Sequence, residues 1–161
     1  MLTGVMGGCL LVIRLCGSVG IPKEVERIFK YIHLQRRNHG TIIINNPSFN
    51  GTLERLKDYA TWGEISKTML SQLIMKRGKL MGGEKITDEY VNRNFGFDSI
   101  AMLSEAIHNS NLDFWKIKNV KPLFRLHPPK GGFRKKMNKH FPKGELGYRA
   151  NTVDDLLKKM M

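Results

Sequence analysis

The side chains best suited to chemistry with an anionic partner are concentrated in residues 125–149, near the end of the chain. Guanidinium and ammonium groups bind phosphates, aromatic rings stack on unpaired bases, and glycines let a ligand approach the backbone closely. This composition predicts contact with a nucleic acid. The candidate contact residues in the segment are Arg125, His127, Lys130, Arg134, Lys135, Lys136, Lys139, His140, Lys143, Tyr148 and Arg149.

The net charge is concentrated in almost the same segment. The 161 residues include 27 Lys and Arg against 14 Asp and Glu, which gives a net charge of +13. Residues 121–149 hold nine of these basic residues and one acidic residue, so they supply eight of the thirteen net charges. Such an excess is typical of proteins that bind nucleic acid or an acidic membrane surface. A solvated basic linker is the alternative, and the interleaved Phe133, Phe141 and Tyr148 disfavour it.

A second and weaker candidate site is formed by Arg36, Arg37, Asn38 and His39. The apolar pattern places these residues in the last turn of a helix. Cations in that position also interact favourably with the helix dipole, so the cluster has two explanations at this point. One is structural, and the other is contact with phosphates.

Neither catalysis nor metal binding is predicted. The five histidines are scattered, and no pair of them has the spacing of metal ligands. The glycine patterns of phosphate-binding and dinucleotide-binding loops are absent. We therefore expect no enzymatic activity, no cofactor, no metal and no small-molecule substrate.

The compartment is inferred from the cysteines and the apolar runs. Cys9 and Cys16 are too few for a disulfide framework and, on one strand, too far apart to bridge. The longest apolar run is far shorter than the ~20 residues of a membrane span, and residues 1–8 lack a signal-peptide pattern. These features predict a cytoplasmic protein. A peripheral membrane binder is disfavoured because the charge lies in a loop rich in Pro and Gly, and not on an amphipathic helix.

Residues 1–66 are predicted to fold as β-α-β-α-β, a small α+β unit. Residues 10–16 are apolar at nearly every position, which predicts a strand that is covered on both faces or lies centrally in a sheet. Helices follow at the apolar stripe of Val25 to Ile32 and after a cap at Ser48 or Asn50, and further strands at 41–44 and 60–65. Trp62 is expected to pack inside the protein rather than to stack on a base.

Residues 67–161 are predicted to form a mostly helical extension. Caps at Ser66, at Thr87 and at either Asp98 or Ser99 open three helices, and Thr152 opens a terminal helix. Residues 120–126 are predicted to form an edge strand. Residues 128–149 show neither helical nor strand periodicity, so we expect the basic loop of residues 125–149 to stay mobile until a partner orders it. The chain is thus divided into a core domain, 1–66, and an extension, 67–161.

Several strings resemble the archaeal ribosomal protein L-thirty family, whose eukaryotic relative is the large-subunit protein L-seven. The most specific are KDYATWGEI and FRLHPPKGGF, and the full set is GSVG at 17–20, LQRRNH at 34–39, KDYATWGEI at 57–65, TDEY at 87–90, FRLHPPKGGF at 124–133 and GELGYR at 144–149. The resemblance implies a three-stranded antiparallel sheet in the order 3-1-2, a C-terminal extension absent from the short bacterial form, and binding to large-subunit ribosomal RNA. It places residues 36–39 and 125–149 on the RNA.

The expected function is therefore a structural role in the large ribosomal subunit, in which the chain binds and stabilises large-subunit ribosomal RNA beside neighbouring ribosomal proteins. The alternative is a free-standing RNA- or DNA-binding protein, such as a ribosome assembly factor. Salt-resistant association with large subunits distinguishes the two.

Overall fold

A computed structural model describes residues 8–161 of the chain. The glycine-rich residues 1–8, in which no signal peptide is expected, lie almost entirely outside this range. Strands and helices alternate in the first part of the chain, and helices dominate the middle. The elements are β1 (Cys9–Arg14), α1 (Lys23–Tyr31), β2 (His39–Ile44), α2 (Pro47–Arg55), β3 (Ala60–Glu64), α3 (Lys67–Arg77), α4 (Asp88–Phe95), α5 (Ile100–His108), β4 (Phe124–Arg125), β5 (Lys136–His140), β6 (Gly144–Tyr148) and α6 (Val153–Met160).

One sheet of six strands organises the fold, in the order β4-β2-β1-β3-β6-β5. The α+β class is confirmed, and β1 lies between β2 and β3 with antiparallel pairing on both sides, as the 3-1-2 order requires. The expectation of only three strands is wrong, because the extension adds three more. β4 pairs with β2, β6 pairs with β3, and β5 pairs with the outer edge of β6. The extension is therefore less helical than expected.

The two added strands β5 and β6 correct the prediction that residues 128–149 have no regular structure. β5 is composed of mostly exposed polar residues, and β6 contains two glycines, so neither shows the alternation that marks a strand in a sequence. These strands form because β6 pairs in parallel with the free edge of β3, and β5 pairs with β6. Tertiary pairing thus replaces local propensity here.

Both faces of the sheet are covered, which explains the continuous apolar run in β1. Leu10 and Val12 face a cluster with Phe29 of α1 and Leu53 of α2. Leu11 and the other alternate residues of β1 face a larger cluster, to which the helices α3 to α6 contribute. At about 25 cal/mol per Å² of buried apolar surface, these two clusters dominate the stability of the fold.

Most of the predicted helix caps are present. The hydroxyl groups of Ser66, Thr87 and Ser99 accept hydrogen bonds from backbone N–H groups of the first turns of α3, α4 and α5. At α2 the cap is Asn46, and neither Ser48 nor Asn50, because its side chain accepts from the N–H of Ser48.

Two predicted features differ in the structure, namely the cap of α6 and the length of the strand at 120–126. Thr152 makes no cap to α6, since its hydroxyl donates to the carbonyl of Arg149 at 2.6 Å. The strand predicted at 120–126 is reduced to Phe124–Arg125, which lies at the edge of the sheet as predicted.

Candidate nucleic-acid interface

The cluster at residues 36–39 lies in a tight turn and not in a helix. Helix α1 ends at Tyr31, where His33 adopts a φ of 65° and the Leu34 N–H bonds to the carbonyl of Phe29. The prediction that Arg36 lies in the last helical turn is therefore wrong, and the helix dipole no longer explains its charge. Contact with an anion becomes the stronger interpretation of this cluster.

The turn brings Arg36 next to the start of β2. The His39 N–H donates to the carbonyl of Arg36 at 3.3 Å, and Asn38 takes the left-handed conformation with φ of 64°. Asparagine tolerates that conformation better than most residues, which explains its place in the turn. Arg125 of β4 lies directly opposite His39 in the strand register. Two basic sites that are 86 positions apart in the sequence thus form one corner.

Arg14 holds this corner from inside the protein. Its side chain is 1% exposed, and its guanidinium donates to the carbonyls of Cys16, Gly17 and Leu34 at 2.9–3.0 Å. Its own carbonyl accepts from the N–H of Asn38 at 2.8 Å. Arg14 is therefore a buried support for the exposed cations and does not itself reach a ligand.

The basic segment then crosses from the β4 edge along the C-terminus of α6. Backbone N–H groups of His127 and Lys130 donate to the carbonyls of Met160 and Lys159 at 3.1 and 3.0 Å. The two ring nitrogens of His127 lie 2.7 and 2.6 Å from the carbonyl oxygens of Pro128 and Met161. His127 therefore anchors the segment, and its ring is already engaged within the protein.

Beyond this crossing, the segment borders a cleft of about 260 Å³ against α6. Its walls carry Arg134, Lys135 and Lys159 together with the ring of Phe141. The Lys135 ammonium lies 4.4 Å from the centre of that ring, a cation–π contact. Cations beside an aromatic surface are suited to an RNA backbone and its bases.

At the far edge of the sheet, β5 and the turn that follows it present basic side chains to solvent. Lys136, Lys139 and Lys143 are exposed, and none of them has a salt bridge among the described residues 8–161. His140 is exposed as well, and its Nε2 lies 2.7 Å from a carboxylate oxygen of Asp58. The lysines of this edge are therefore available to phosphates.

Arg149 lies inside the protein, contrary to its expected role. It is 5% exposed, and its guanidinium donates to Thr61 Oγ1 at 2.9 Å and to the Glu145 carboxylate at 2.6 Å. This buried guanidinium donates from Nε and Nη2 to acceptors within the protein, so Arg149 supports the fold. Sequence reasoning could not separate it from the other basic residues because burial has no local signature here.

Tyr148, the last residue of β6, is exposed, but its hydroxyl is engaged by a neighbouring carboxylate. Its hydroxyl donates to Glu64 at 3.1 Å, and burial, followed by this carboxylate, raises the pKa of the phenol. The neighbouring Trp62 is 7% exposed, which confirms that its indole is buried. An aromatic platform for bases is therefore not formed by Trp62.

The predicted contacts fall into two clusters on opposite edges of the sheet, joined by the crossing segment. We call Arg36, Asn38, His39 and Arg125 the β2–β4 corner. We call the basic residues along α6 and β5 the β5 edge, which consists of Lys130, Arg134, Lys135, Lys136, Lys139, His140, Lys143 and Lys159. Lys158 and Lys159 lie in the last turn of α6, where cations also suit the helix dipole, and Lys159 lies beside this path. The backbone bond from Lys130 and the cleft shared with Arg134 and Lys135 show that Lys159 belongs to the basic surface.

Other types of site are not found in the described part of the chain. Across residues 8–161, no three His, Cys, Asp or Glu side chains converge as metal ligands. Over the same residues, no helix is both long and apolar enough to cross a membrane. Cys9 and Cys16 are both free thiols, and burial raises the pKa of Cys9 to about 12.

Comparison with known proteins gives one consistent family. The sequence profile of "Ribosomal protein L30p/L7e" matches residues 10–60. A protein of Methanosphaera stadtmanae is 39% identical over 150 residues, which is 93% of this chain and 98% of that protein. Proteins of Methanopyrus kandleri and Desulfurococcus amylolyticus are 39% and 40% identical, over 90% and 93% of this chain and 99% and 96% of their own lengths. All three are named "Large ribosomal subunit protein uL30".

Proposed function

Since the chain belongs to the Ribosomal protein L30p/L7e family, we propose that it is a structural constituent of the large ribosomal subunit, where it binds ribosomal RNA in the cytoplasm. It is not an enzyme. The observation that carries the proposal is the near full-length similarity to proteins with that name, extending over both the sheet and the basic segment. A free-standing assembly factor is not favoured by these relatives.

The RNA-binding surface in this proposal is formed by the β2–β4 corner and the β5 edge together. Its cations are exposed and come from separate parts of the chain, so they can neutralise several phosphates at once. The proposed contacts are Arg36, Arg37, Asn38, His39, Arg125, Lys130, Arg134, Lys135, Lys136, Lys139, His140, Lys143 and Lys159. Arg149 and His127 are left out because their buried or half-buried side chains are engaged within the protein, and Tyr148 is left out because its hydroxyl donates to Glu64.

The proposal is tested by titrating the protein with deproteinised large-subunit ribosomal RNA at several salt concentrations. If about six phosphates are neutralised, the log–log slope is roughly −4 to −5, and affinity falls on the order of 10³-fold between about 50 and about 200 mM salt. A slope shallower than about −2 would place recognition outside the basic surface.

Matched charge variants locate the surface. Lys136→Ala with Lys139→Ala should weaken binding and make the slope shallower by about two, because two phosphates are no longer neutralised. Lys23→Ala with Lys67→Ala, two exposed lysines outside the proposed surface, changes the net charge equally. Equal weakening by the two pairs would contradict the assigned surface and leave only a general charge effect.

A further inference from the structure

The β2–β4 corner contains two buried polar atoms that its function as a plain basic patch does not explain. Among the described residues 8–161, neither Asn38 Oδ1 nor His39 Nδ1 has a hydrogen-bond partner. Buried polar atoms in native proteins are almost always paired, so each exception requires a reason. Here the two exceptions are consecutive residues, and His39 lies opposite Arg125 and bonds through its N–H to the carbonyl of Arg36, which indicates a site organised for something besides the protein itself.

The charges around His39 all have the same sign. Arg14 of β1, Arg36 of the turn and Arg125 of β4 act on its imidazole from the elements packed against it. Burial is the main reason that the pKa of His39 lies below its ordinary value, and the three guanidinium groups lower it further. The imidazole is therefore neutral near pH 7, in a position where an anion would be strongly attracted.

We propose that Arg36, His39 and Arg125 together bind one phosphate group of the RNA backbone, and that His39 takes up a proton when this phosphate binds. The inference rests on the proposed function, because it assigns one contact within the RNA interface and its linkage to protons. Arg36 and Arg125 are exposed and flank the imidazole from the turn and from the opposite strand.

The chemistry of this step is a protonation without any change in covalent bonding to phosphorus. The negative charge of the phosphodiester offsets the repulsion from the arginines, so the imidazolium form becomes favourable. The proton comes from the solvent and its buffer. Protonated His39 carries an N–H on each ring nitrogen, so Nε2–H can donate to a phosphate oxygen, and Nδ1–H becomes a donor for which the neighbouring unpaired Asn38 Oδ1 is a candidate acceptor. Both unpaired atoms would then have partners.

The linkage has a definite sign. Because the complex binds one more proton at His39 than the free protein does, RNA affinity must rise as the pH falls through the region in which imidazoles titrate. Between about pH 8 and about pH 5.5, the association constant should increase roughly three- to tenfold at constant salt from this group alone.

The test is the RNA affinity of the full chain, measured with deproteinised large-subunit ribosomal RNA across this pH range. His39→Gln keeps a polar side chain and removes the titration, so its affinity should vary less with pH than that of the wild type. His108→Gln, at the end of α5 and outside the basic surface, is the matched control and should behave as the wild type does. Titration of the RNA itself contributes equally to all three proteins.

A second measurement requires no variant. Calorimetric titration in two buffers of different ionisation enthalpy counts the protons taken up when RNA binds, and we expect net uptake near pH 7. Absence of uptake, or the same pH dependence in His39→Gln and wild type, would overturn the proton-linked site while leaving RNA binding intact. Binding to large-subunit RNA no tighter than to an unrelated RNA would instead overturn the proposed function.

Discussion

Basic residues that look alike in the sequence have opposite roles in this protein. Arg14 and Arg149 are buried, and each guanidinium donates to several acceptors within the fold. Arg36, Arg125 and Arg134 are exposed and are available to phosphates. The difference comes from the strands around each residue, so charge density alone overstates the binding surface. Mutations should separate the two groups cleanly.

The first prediction concerns Arg149 and its carboxylate partner. The Arg149–Glu145 pair is about 6–7% exposed at both side chains, with its atoms 2.6 Å apart. Removing one partner of a buried pair leaves an uncompensated charge, so Arg149→Ala should cost about 3–5 kcal/mol of folding free energy. Denaturant unfolding measures this cost.

The exposed Arg134 is the matched control for Arg149. Arg134→Ala should leave the unfolding free energy within about 0.5 kcal/mol of the wild type while it weakens RNA binding. Unchanged stability in Arg149→Ala together with a large drop in RNA affinity would make Arg149 a contact residue after all.

The second prediction is the pH dependence of the free protein's stability. Burial lowers the pKa of His39 and also that of His33 below the ordinary value of 6.5. The unfolded chain therefore binds more protons than the folded one as the pH falls through about 6.5, and stability must fall with it. Thermal unfolding between pH 7 and pH 5 should show a smaller decrease in stability for His39→Gln than for the wild type. A larger decrease in the variant would contradict the buried neutral imidazole. RNA affinity is expected to change in the opposite direction over this range.

At the scale of elements, the chain that follows β6 passes very close to strand β3. This close approach decides how the extension packs against β3. A Cβ at Gly63 would overlap the carbonyl oxygen of Ala150 and crowd Val153 of α6. Since the closest of these atoms belongs to the backbone, the overlap cannot be relieved by a side-chain rotation. This strand position requires glycine for space and not for its backbone angles.

The third prediction follows from that close approach. Gly63→Ala should lower the unfolding free energy by about 1–3 kcal/mol, the usual cost of overpacking. Gly51→Ala is the control, because this glycine lies within α2 with open space around it and should gain about 0.5–1 kcal/mol. If both variants are destabilised equally, the close approach at Gly63 is not tight.

The fourth prediction distinguishes the parts of the basic segment by amide hydrogen exchange. The N–H of Arg149 bonds to the carbonyl of Trp62 at 2.9 Å, and that of Phe141 bonds to the carbonyl of Leu146 at 2.8 Å. The amides of Phe141 and Arg149 should therefore exchange slowly in the free protein, whereas Phe133 and Arg134, outside any strand, should exchange quickly. Rapid exchange throughout 125–149 would instead support a segment that is ordered only by RNA.

The sequence predicts the helices and strands that form because of signals in their own residues. β1, α3, α4 and α5 follow from apolar periodicity and caps such as Ser66 and Thr87, and the central place of β1 follows from its continuous burial. β5, β6 and the early end of α1 could not be predicted, because they depend on an available strand edge and on a turn at His33. In the same way, the clusters at 36–39 and 125 were each detected, but their meeting at one corner required the pairing of β2 with β4.

At the scale of the whole molecule, the extension completes the core. The face of β1 that carries Leu11 and Ile13 packs against α3 to α6, and Trp115 contacts both apolar clusters. The Trp115 indole also donates to Thr41 of β2 at 2.8 Å. We therefore propose that the parts divided after residue 66 share one core and fold together. The shared sheet places the two basic clusters at its opposite edges, which suits an RNA that passes along the molecule.

The central claim, that the chain is a stoichiometric constituent of the large ribosomal subunit, is tested most directly by cosedimentation. Ribosomes from cells that express the tagged full chain are separated on sucrose gradients in moderate salt, and the amount of the chain per large subunit is measured by quantitative mass spectrometry. We expect about one copy in every mature large subunit after the wash in moderate salt. Recovery only with immature particles, or release from mature subunits by the wash, would contradict it and indicate an assembly factor.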